Sequence, residues 1–175
     1  MRPGDRTLKK QKTLRPTSNK VRGALFNILR AEIGGAVFLD LYAGTGAVGI
    51  GALEEGASEV FFVEESRGSA EKLRGLIEKM RLQQRATIVT RKAVPFIEWA
   101  ELNSAVFDII FLDPPYHTEE IMNALSAIGS SRILKQDGVV IAEHFVKRHL
   151  PDDFNTLHKI KDYHYGDTVL SFYKR

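Results

Sequence analysis

The sequence predicts a doubly wound α/β fold, and three observations support that prediction. Short apolar runs alternate with amphipathic stretches between residues 36 and 143, which is typical of strands joined by helices. The strands are apolar on both faces, as in a mainly parallel sheet covered by helices on each side. Residues 156–162 and 168–173 flank the turn YHYGDT, so we expect an antiparallel hairpin at the edge of the sheet.

The predicted elements follow in order along a single domain, residues 1–175. Residues 1–17 lack periodicity and contain prolines and a glycine, so we expect an extended arm. Apolar residues at helical spacing after a Thr-Ser N-cap predict a helix over 18–33. The α/β core over 36–175 has seven predicted strands, 36–41, 59–64, 86–90, 107–112, 138–143, 156–162 and 168–173, with helices over 46–55, 67–82, 93–100 and 119–128.

Composition excludes several classes of protein. The 175 residues are 43% hydrophobic, enough for a full core, and contain no cysteine, which excludes disulfides, thiolate zinc sites and cysteine nucleophiles. The five histidines have no metal-ligand spacing, so we expect no metal. Neither a membrane-length apolar run nor a signal-peptide core is present, so we expect a cytoplasmic protein. We also expect it to be a monomer.

Charge is unevenly distributed along the chain. Residues 1–30 carry nine lysines or arginines against one acid, a net charge of +8, which leaves −5 for the rest of a chain whose total is +3. A basic arm on an acidic body is typical of a protein that meets phosphate with its N-terminus. The same pattern also fits a solvated tail, and charge alone does not distinguish the two interpretations.

A glycine-rich motif follows the first predicted strand. Gly44, Gly46 and Gly49 satisfy GxGxxG, in which glycine permits a tight turn and close approach of a ligand. Asp40 ends the first strand and Glu64 ends the second, where a carboxylate can accept both hydroxyls of a ribose. An anion at the loop entrance repels a pyrophosphate and attracts a cationic amino-acid moiety, which favours S-adenosylmethionine over NAD.

The stretch DIIFLDPPY ends a buried strand with an acid, two prolines and a tyrosine. In a parallel sheet, Asp113 would then lie in the crevice beyond the carboxyl ends of the strands. The fixed backbone of Pro114 and Pro115 holds carbonyl acceptors in place, and Tyr116 offers a flat face for an aromatic ring. Such acceptors can hold both hydrogens of an exocyclic amino group, which predicts methyl transfer to that nitrogen.

Taken together, RPTSNKVRGALFNIL at residues 15–29, the glycine motif and DPPY resemble class I S-adenosylmethionine-dependent methyltransferases. Within that class the sequence more closely resembles the bacterial family that methylates guanine N2 in small-subunit ribosomal RNA, and this resemblance covers nearly the whole chain. It implies contact with ribosomal RNA, in a small-subunit assembly intermediate. It assigns the cofactor role to Asp40, Ala43, Gly44, Gly46 and Glu64, the amino-group role to Asp113, Pro114, Pro115 and Tyr116, and an RNA-facing role to Arg15, Thr17, Arg22 and Phe26. Phe26 equally fits a core position on its helix.

One position departs from the family pattern. After the third strand the family usually has an acid before a small residue, whereas Lys92 precedes Ala93 here. We therefore expect contacts with adenine to come from Ala93 or from backbone.

Other functions share part of the pattern. A DNA adenine or cytosine amino-methyltransferase shares the catalytic residues, whereas a protein-glutamine methyltransferase would have Asn at position 113. An NAD-linked oxidoreductase explains the glycines but not DPPY. A non-catalytic nucleic-acid-binding module explains the basic arm but not Asp113 with Tyr116.

Overall fold

The computed structural model describes residues 18–116 and 118–175, which form one mixed sheet flanked by helices. The strands are β1 (Val37–Asp40), β2 (Glu59–Val63), β3 (Ala86–Val89), β4 (Phe107–Leu112), β5 (Leu134–Phe145), β6 (Asp153–Phe154), β7 (Leu157–Tyr165) and β8 (Thr168–Lys174). The helices are α1 (Asn19–Leu29), α2 (Ala47–Glu54), α3 (Arg67–Lys79), α4 (Ala93–Leu102) and α5 (Glu120–Ser130), with a short 3₁₀ turn at Gln83–Arg85.

The strand order across the sheet is β3-β2-β1-β4-β5-β8-β7-β6. Strands β1 to β5 are parallel, whereas β8, β7 and β6 join in antiparallel register. The order reverses between β1 and β4, and ligands of open α/β sheets bind beyond the carboxyl ends of the strands at such a point. The predicted doubly wound sheet with an antiparallel C-terminal edge is confirmed.

Two apolar layers bury the two faces of the sheet. Phe38 of β1 packs on the side of α1, α2 and α3, and its neighbour Leu39 packs on the side of α4 and α5. Successive side chains of a strand point to opposite faces, so a strand covered on both sides is apolar at every position. This explains why the parallel strands show no polar alternation in the sequence.

The three largest differences from the sequence-based expectation are one extra strand and two element boundaries. The sheet has eight strands in the described residues rather than seven, because the two residues of β6 pair with β7 and are too few to leave a periodic pattern. Helix α1 ends at Leu29 instead of 33; Ile33 is buried after a turn and therefore continues the apolar spacing. Strand β5 begins at Leu134, before the predicted 138.

Helix α1 begins where the sequence predicted and packs against the core. The Ser18 side chain accepts a hydrogen bond from the Val21 amide at 3.2 Å, an ordinary N-cap. Phe26 is buried, and a side chain at Gly51 would lie 2.6 Å from its ring. Phe26 is therefore a core residue that fixes α1 against α2.

No helix in residues 18–116 and 118–175 has the length and apolar character needed to cross a bilayer.

Candidate active site

Three acidic residues lie together at one edge of the sheet. Asp40 is the last residue of β1, Glu64 directly follows β2, and Asp113 directly follows β4. The order β2-β1-β4 makes these strand ends neighbours, although they are distant in sequence. The sheet thus brings together the acids that the sequence predicted for the cofactor and the acceptor.

Two adjoining cavities are found at this edge. One has a volume of about 360 Å³ and the other of about 480 Å³. Tyr42, Gly44, Ser69 and Asp113 line both. Asp113 therefore lies where the two cavities meet.

The glycine loop, residues 41–46, is fixed by backbone conformation. Gly44 and Gly46 have positive φ angles of 51° and 78°, which side chains rarely adopt. A Cβ on Gly46 would lie 2.3 Å from a methyl group of Leu73 in α3. Gly46 is also the N-cap of α2. It consequently shapes the loop and its packing, while Gly44 and Ala43 line the larger cavity.

Asp40 is buried beneath this loop. Its side chain is 2% exposed, and Oδ2 accepts a hydrogen bond from the Gly49 amide at 3.0 Å. Burial raises the pKa of Asp40 to about 7, and the charges of Asp113 and Glu64 add to the rise. A cation in the adjacent cavity would favour its ionised form.

Glu64 joins the glycine loop to the start of α3. Oε2 accepts from the Gly44 amide and Oε1 from the Ser66 amide, both at 2.8 Å. Ser66 is the N-cap of α3. Each carboxylate oxygen can accept a second hydrogen bond. Glu64 lines the 360 Å³ cavity, so it can accept such bonds from a ligand there.

The far wall of that cavity comes from the start of α4. Ala93 is buried and lines the cavity with Pro95. Lys92 and Arg91 also line it but are exposed, and the Arg91 guanidinium lies 5.8 Å from the centroid of the Trp99 ring. The departure from the family pattern at Lys92 therefore places a cation at the mouth of the cavity.

The DPPY loop, residues 113–116 and 118–119, follows β4. Asp113 and Tyr116 are half-buried, Pro114 is buried and Pro115 is exposed. The Tyr116 ring lies 6.4 Å from that of Phe145, tilted by 46°. Asp113 lines both cavities and Pro115 lines the 360 Å³ cavity, whereas Pro114 and Tyr116 line neither.

The predicted RNA-facing residues are placed only in part. Arg15 and Thr17 lie outside the described residues. Arg22 is half-buried on α1, where its Nη2 donates to Asn19 Oδ1 at 3.2 Å, and it lines neither of the two cavities. The described structure therefore does not bring Arg22 to Asp113.

Sequence reasoning missed two residues that line both cavities. Tyr42 stands inside the glycine loop, and its hydroxyl donates to the Glu120 carbonyl at 3.4 Å. Burial raises the pKa of Tyr42 above its ordinary value, so the phenol stays protonated. Ser69, in the first turn of α3, is the other. Both follow strands at the edge that GxGxxG marks, and that position was the available signal.

Comparison with known proteins identifies a family. The family described as conserved hypothetical protein 95 matches residues 4–174. The putative rRNA methyltransferase YlbH of Bacillus subtilis is 30% identical over 92% of this chain and 88% of its own. Ribosomal RNA small subunit methyltransferase D of Haemophilus influenzae is 30% identical over 74% of this chain and 67% of its own.

A solved structure has the same fold. The putative methyltransferase yhhF from Escherichia coli is 25% identical, with a TM-score of 0.80 over 93% of this chain and 88% of that one.

Proposed function

The chain belongs to the conserved hypothetical protein 95 family, and we propose that it methylates the exocyclic N2 amino group of a guanine in small-subunit ribosomal RNA, with S-adenosylmethionine as methyl donor. The observation that carries the proposal is the position of Asp113 between two adjoining cavities. The two cavities fit the two ends of the methyl donor, so Asp113, which lines both, lies where the methyl group between those ends would meet an acceptor. The relatives named for rRNA methylation support the substrate class.

The residues present fit S-adenosylmethionine. The 360 Å³ cavity has apolar walls from Leu41, Val63 and Ala93 that suit an adenine ring, with Glu64 on its rim to accept the ribose hydroxyls. The larger cavity runs past the glycine loop to Asp40, whose carboxylate favours a cationic amino-acid moiety. When bound, S-adenosylmethionine would supply a methyl group on a positively charged sulfur, and the sulfur would leave as a neutral thioether when the methyl–sulfur bond breaks.

The acceptor chemistry falls on the DPPY loop. The Asp113 carboxylate accepts a hydrogen of the guanine amino group and takes up the proton that this nitrogen loses when its bond to the methyl carbon forms. The Tyr116 ring stacks on the base. A base that reaches this site must leave its helical stack, so a single-stranded or loosely paired nucleotide is the expected target.

The preorganised acceptors lower the barrier because they act where charge develops. Nitrogen becomes positive as it is methylated, and a carboxylate already held in place stabilises that charge without reorganising. The buried base of the DPPY loop at Pro114 supplies this rigidity.

The test is transfer of labelled methyl groups to three substrates: small ribosomal subunits or their assembly intermediates, protein-free small-subunit RNA, and duplex DNA. Nucleoside analysis of the product should find the label as N2-methylguanosine in subunits or RNA. Label only in DNA would favour an amino-methyltransferase of DNA that uses the same residues. Label in no substrate, with the cofactor bound, would overturn the proposed activity.

A further inference from the structure

An arginine from a distant part of the chain donates hydrogen bonds to the DPPY loop. Arg148 follows β5, and its Nη1 donates to the Thr118 carbonyl at 2.6 Å. Its Nη2 donates to Glu119 Oε1 at 3.0 Å. A planar guanidinium holds two acceptors in a fixed relative geometry, which an ammonium group cannot do.

Thr118 connects the Arg148 contact to Pro115 of the DPPY motif. The Thr118 hydroxyl donates to the Pro115 carbonyl at 2.9 Å. Two hydrogen bonds, one at the Thr118 carbonyl and one at the Thr118 hydroxyl, therefore connect Arg148 to Pro115. On the same side, the ring of Phe145, the last residue of β5, contacts the Tyr116 ring. The same turn thus braces both residues that follow Pro114.

The turn after β5 that carries Arg148 is itself hydrogen-bonded to the C-terminal hairpin. The Arg148 amide donates to the Phe145 carbonyl at 2.8 Å, and the Val146 amide donates to the Asp167 carbonyl at 2.8 Å. Phe145 pairs with Thr168 in the β5–β8 ladder. The turn is consequently tied by hydrogen bonds to the end of the β5–β8 ladder and to the turn between β7 and β8.

The two contacts of Arg148 differ in exposure. The Glu119 side chain is 78% exposed and that of Arg148 24% exposed, so the ion pair is screened by water. The Thr118 carbonyl belongs to the loop backbone, and its bond to Arg148 is partly buried. The backbone contact, more than the ion pair, therefore fixes the loop.

We propose that Arg148 is a positioning residue that holds the DPPY loop in its methyl-accepting geometry, and this inference rests on the proposed function. Arg148 does not line either cavity. It acts through the Thr118 carbonyl and the Pro115 carbonyl on the placement of Asp113 and Tyr116.

The test compares Arg148→Ala and Arg148→Lys with the parent in steady-state methyl transfer to the substrate found active. We expect kcat to fall about 10- to 100-fold in Arg148→Ala, because misplacement of a reacting group by about 1 Å costs up to that much. The dissociation constant of S-adenosylmethionine should change less than about twofold, since its cavity does not include Arg148. Arg148→Lys should keep an intermediate rate, and added guanidinium should restore part of the Arg148→Ala rate.

The matched control is Arg132→Ala. Arg132 precedes β5 at the opposite edge of the sheet and pairs with Glu101 at 3.1 Å, so this variant loses an arginine and an ion pair far from Asp113. It should keep the parent kcat. Arg148→Ala within twofold of the parent would overturn the inference, as would a parallel loss of kcat, cofactor binding and melting temperature without guanidinium rescue.

A second measurement separates this inference from the proposed function. In the protein without ligands, hydrogen exchange of the peptide from Asp113 to Glu120 should be faster in Arg148→Ala than in Arg132→Ala. An active parent with unchanged exchange in Arg148→Ala would overturn the brace alone. If exchange is faster in Arg148→Ala but the parent chain methylates no substrate, the proposed function is overturned, and with it the catalytic role of the Arg148 contact.

Discussion

The glycine loop and the DPPY loop meet at the same pair of cavities, yet they are held by different means. The glycine loop is fixed by two positive φ angles and by the bond from the Gly44 amide to half-buried Glu64, and the Gly49 amide of the adjoining helix α2 donates to buried Asp40. The DPPY loop is fixed by side chains, among them one from the antiparallel half. The glycine loop, on the side of the methyl donor, is thus held by main-chain contacts. The DPPY loop, on the side of the methyl acceptor, is held by a few side chains that a substitution can remove.

The largest effect is expected at the junction of the two loops. Asp113→Ala should lower the methyl-transfer rate by about 10²- to 10⁴-fold, the range for removal of an acid–base group. The matched variant Asp113→Asn keeps an acceptor oxygen and should retain more activity than Asp113→Ala. Labelled methyl transfer at saturating cofactor measures both, and a rate for Asp113→Ala within a few-fold of the parent would contradict the amino-group mechanism.

On the donor side, Gly46→Ala should destabilise the fold severely. Its φ of 78° is strained for alanine by about 1–2 kcal/mol, and the new Cβ would overlap the Leu73 side chain in the core. The control is Gly68→Ala in α3, an exposed position where a Cβ meets nothing within 4 Å; it should stabilise by about 0.5–1 kcal/mol. Urea unfolding compares the two, and equal stabilities would show that the loop adapts.

Glu64 tests whether the donor side also binds the ribose. Glu64→Ala should weaken S-adenosylmethionine binding about 10- to 100-fold, because hydrogen bonds to a charged group contribute about 1.5–3 kcal/mol each. Glu64→Gln should have a smaller effect, since one oxygen still accepts from the Gly44 amide. Glu55→Gln, at the exposed end of α2, provides the charge-matched control. Calorimetric titration measures all three, and cofactor affinity unchanged in Glu64→Ala would remove Glu64 from the site.

A further prediction concerns the pH dependence of stability through Asp40. Its folded pKa of about 7 exceeds the ordinary 3.8, so the folded protein binds the extra proton between these values and loses stability as pH rises through that window. At about 1.36 kcal/mol per pKa unit the loss amounts to a few kcal/mol. Asp40→Asn, neutral throughout, should therefore gain stability relative to the parent from about pH 4 to about pH 7. Unfolding measured across this range checks the sign, and parallel curves would contradict the burial of a titrating carboxyl.

Asp40 also predicts that cofactor binding depends on pH. A cationic ligand favours ionised Asp40, so binding near pH 7 should release a proton and tighten as pH rises. Asp40→Asn should abolish that release, which calorimetry in buffers of different ionisation enthalpy measures directly.

Much of this site was predictable because each key residue follows a recognisable strand. The apolar runs before Asp40, Glu64 and Asp113 predicted three parallel strands, and parallel strands place their carboxyl ends at one edge. The two residues that sequence reasoning missed leave a weaker signal. Tyr42 and Ser69 follow strands at the same edge, but neither residue type by itself indicates that it lines a cavity.

The sequence by itself determined the order of strands and helices, the carboxyl-edge acids and the rigid DPPY segment, because these depend on local pattern and on the geometry of a parallel sheet. Only the tertiary structure decided that burial raises the pKa of Asp40 to about 7, that Gly46 packs against Leu73, and that Arg148 contacts a loop about thirty residues away. Burial and long-range hydrogen bonds are properties of packed neighbours, and neighbours distant in the chain are not written in any local pattern.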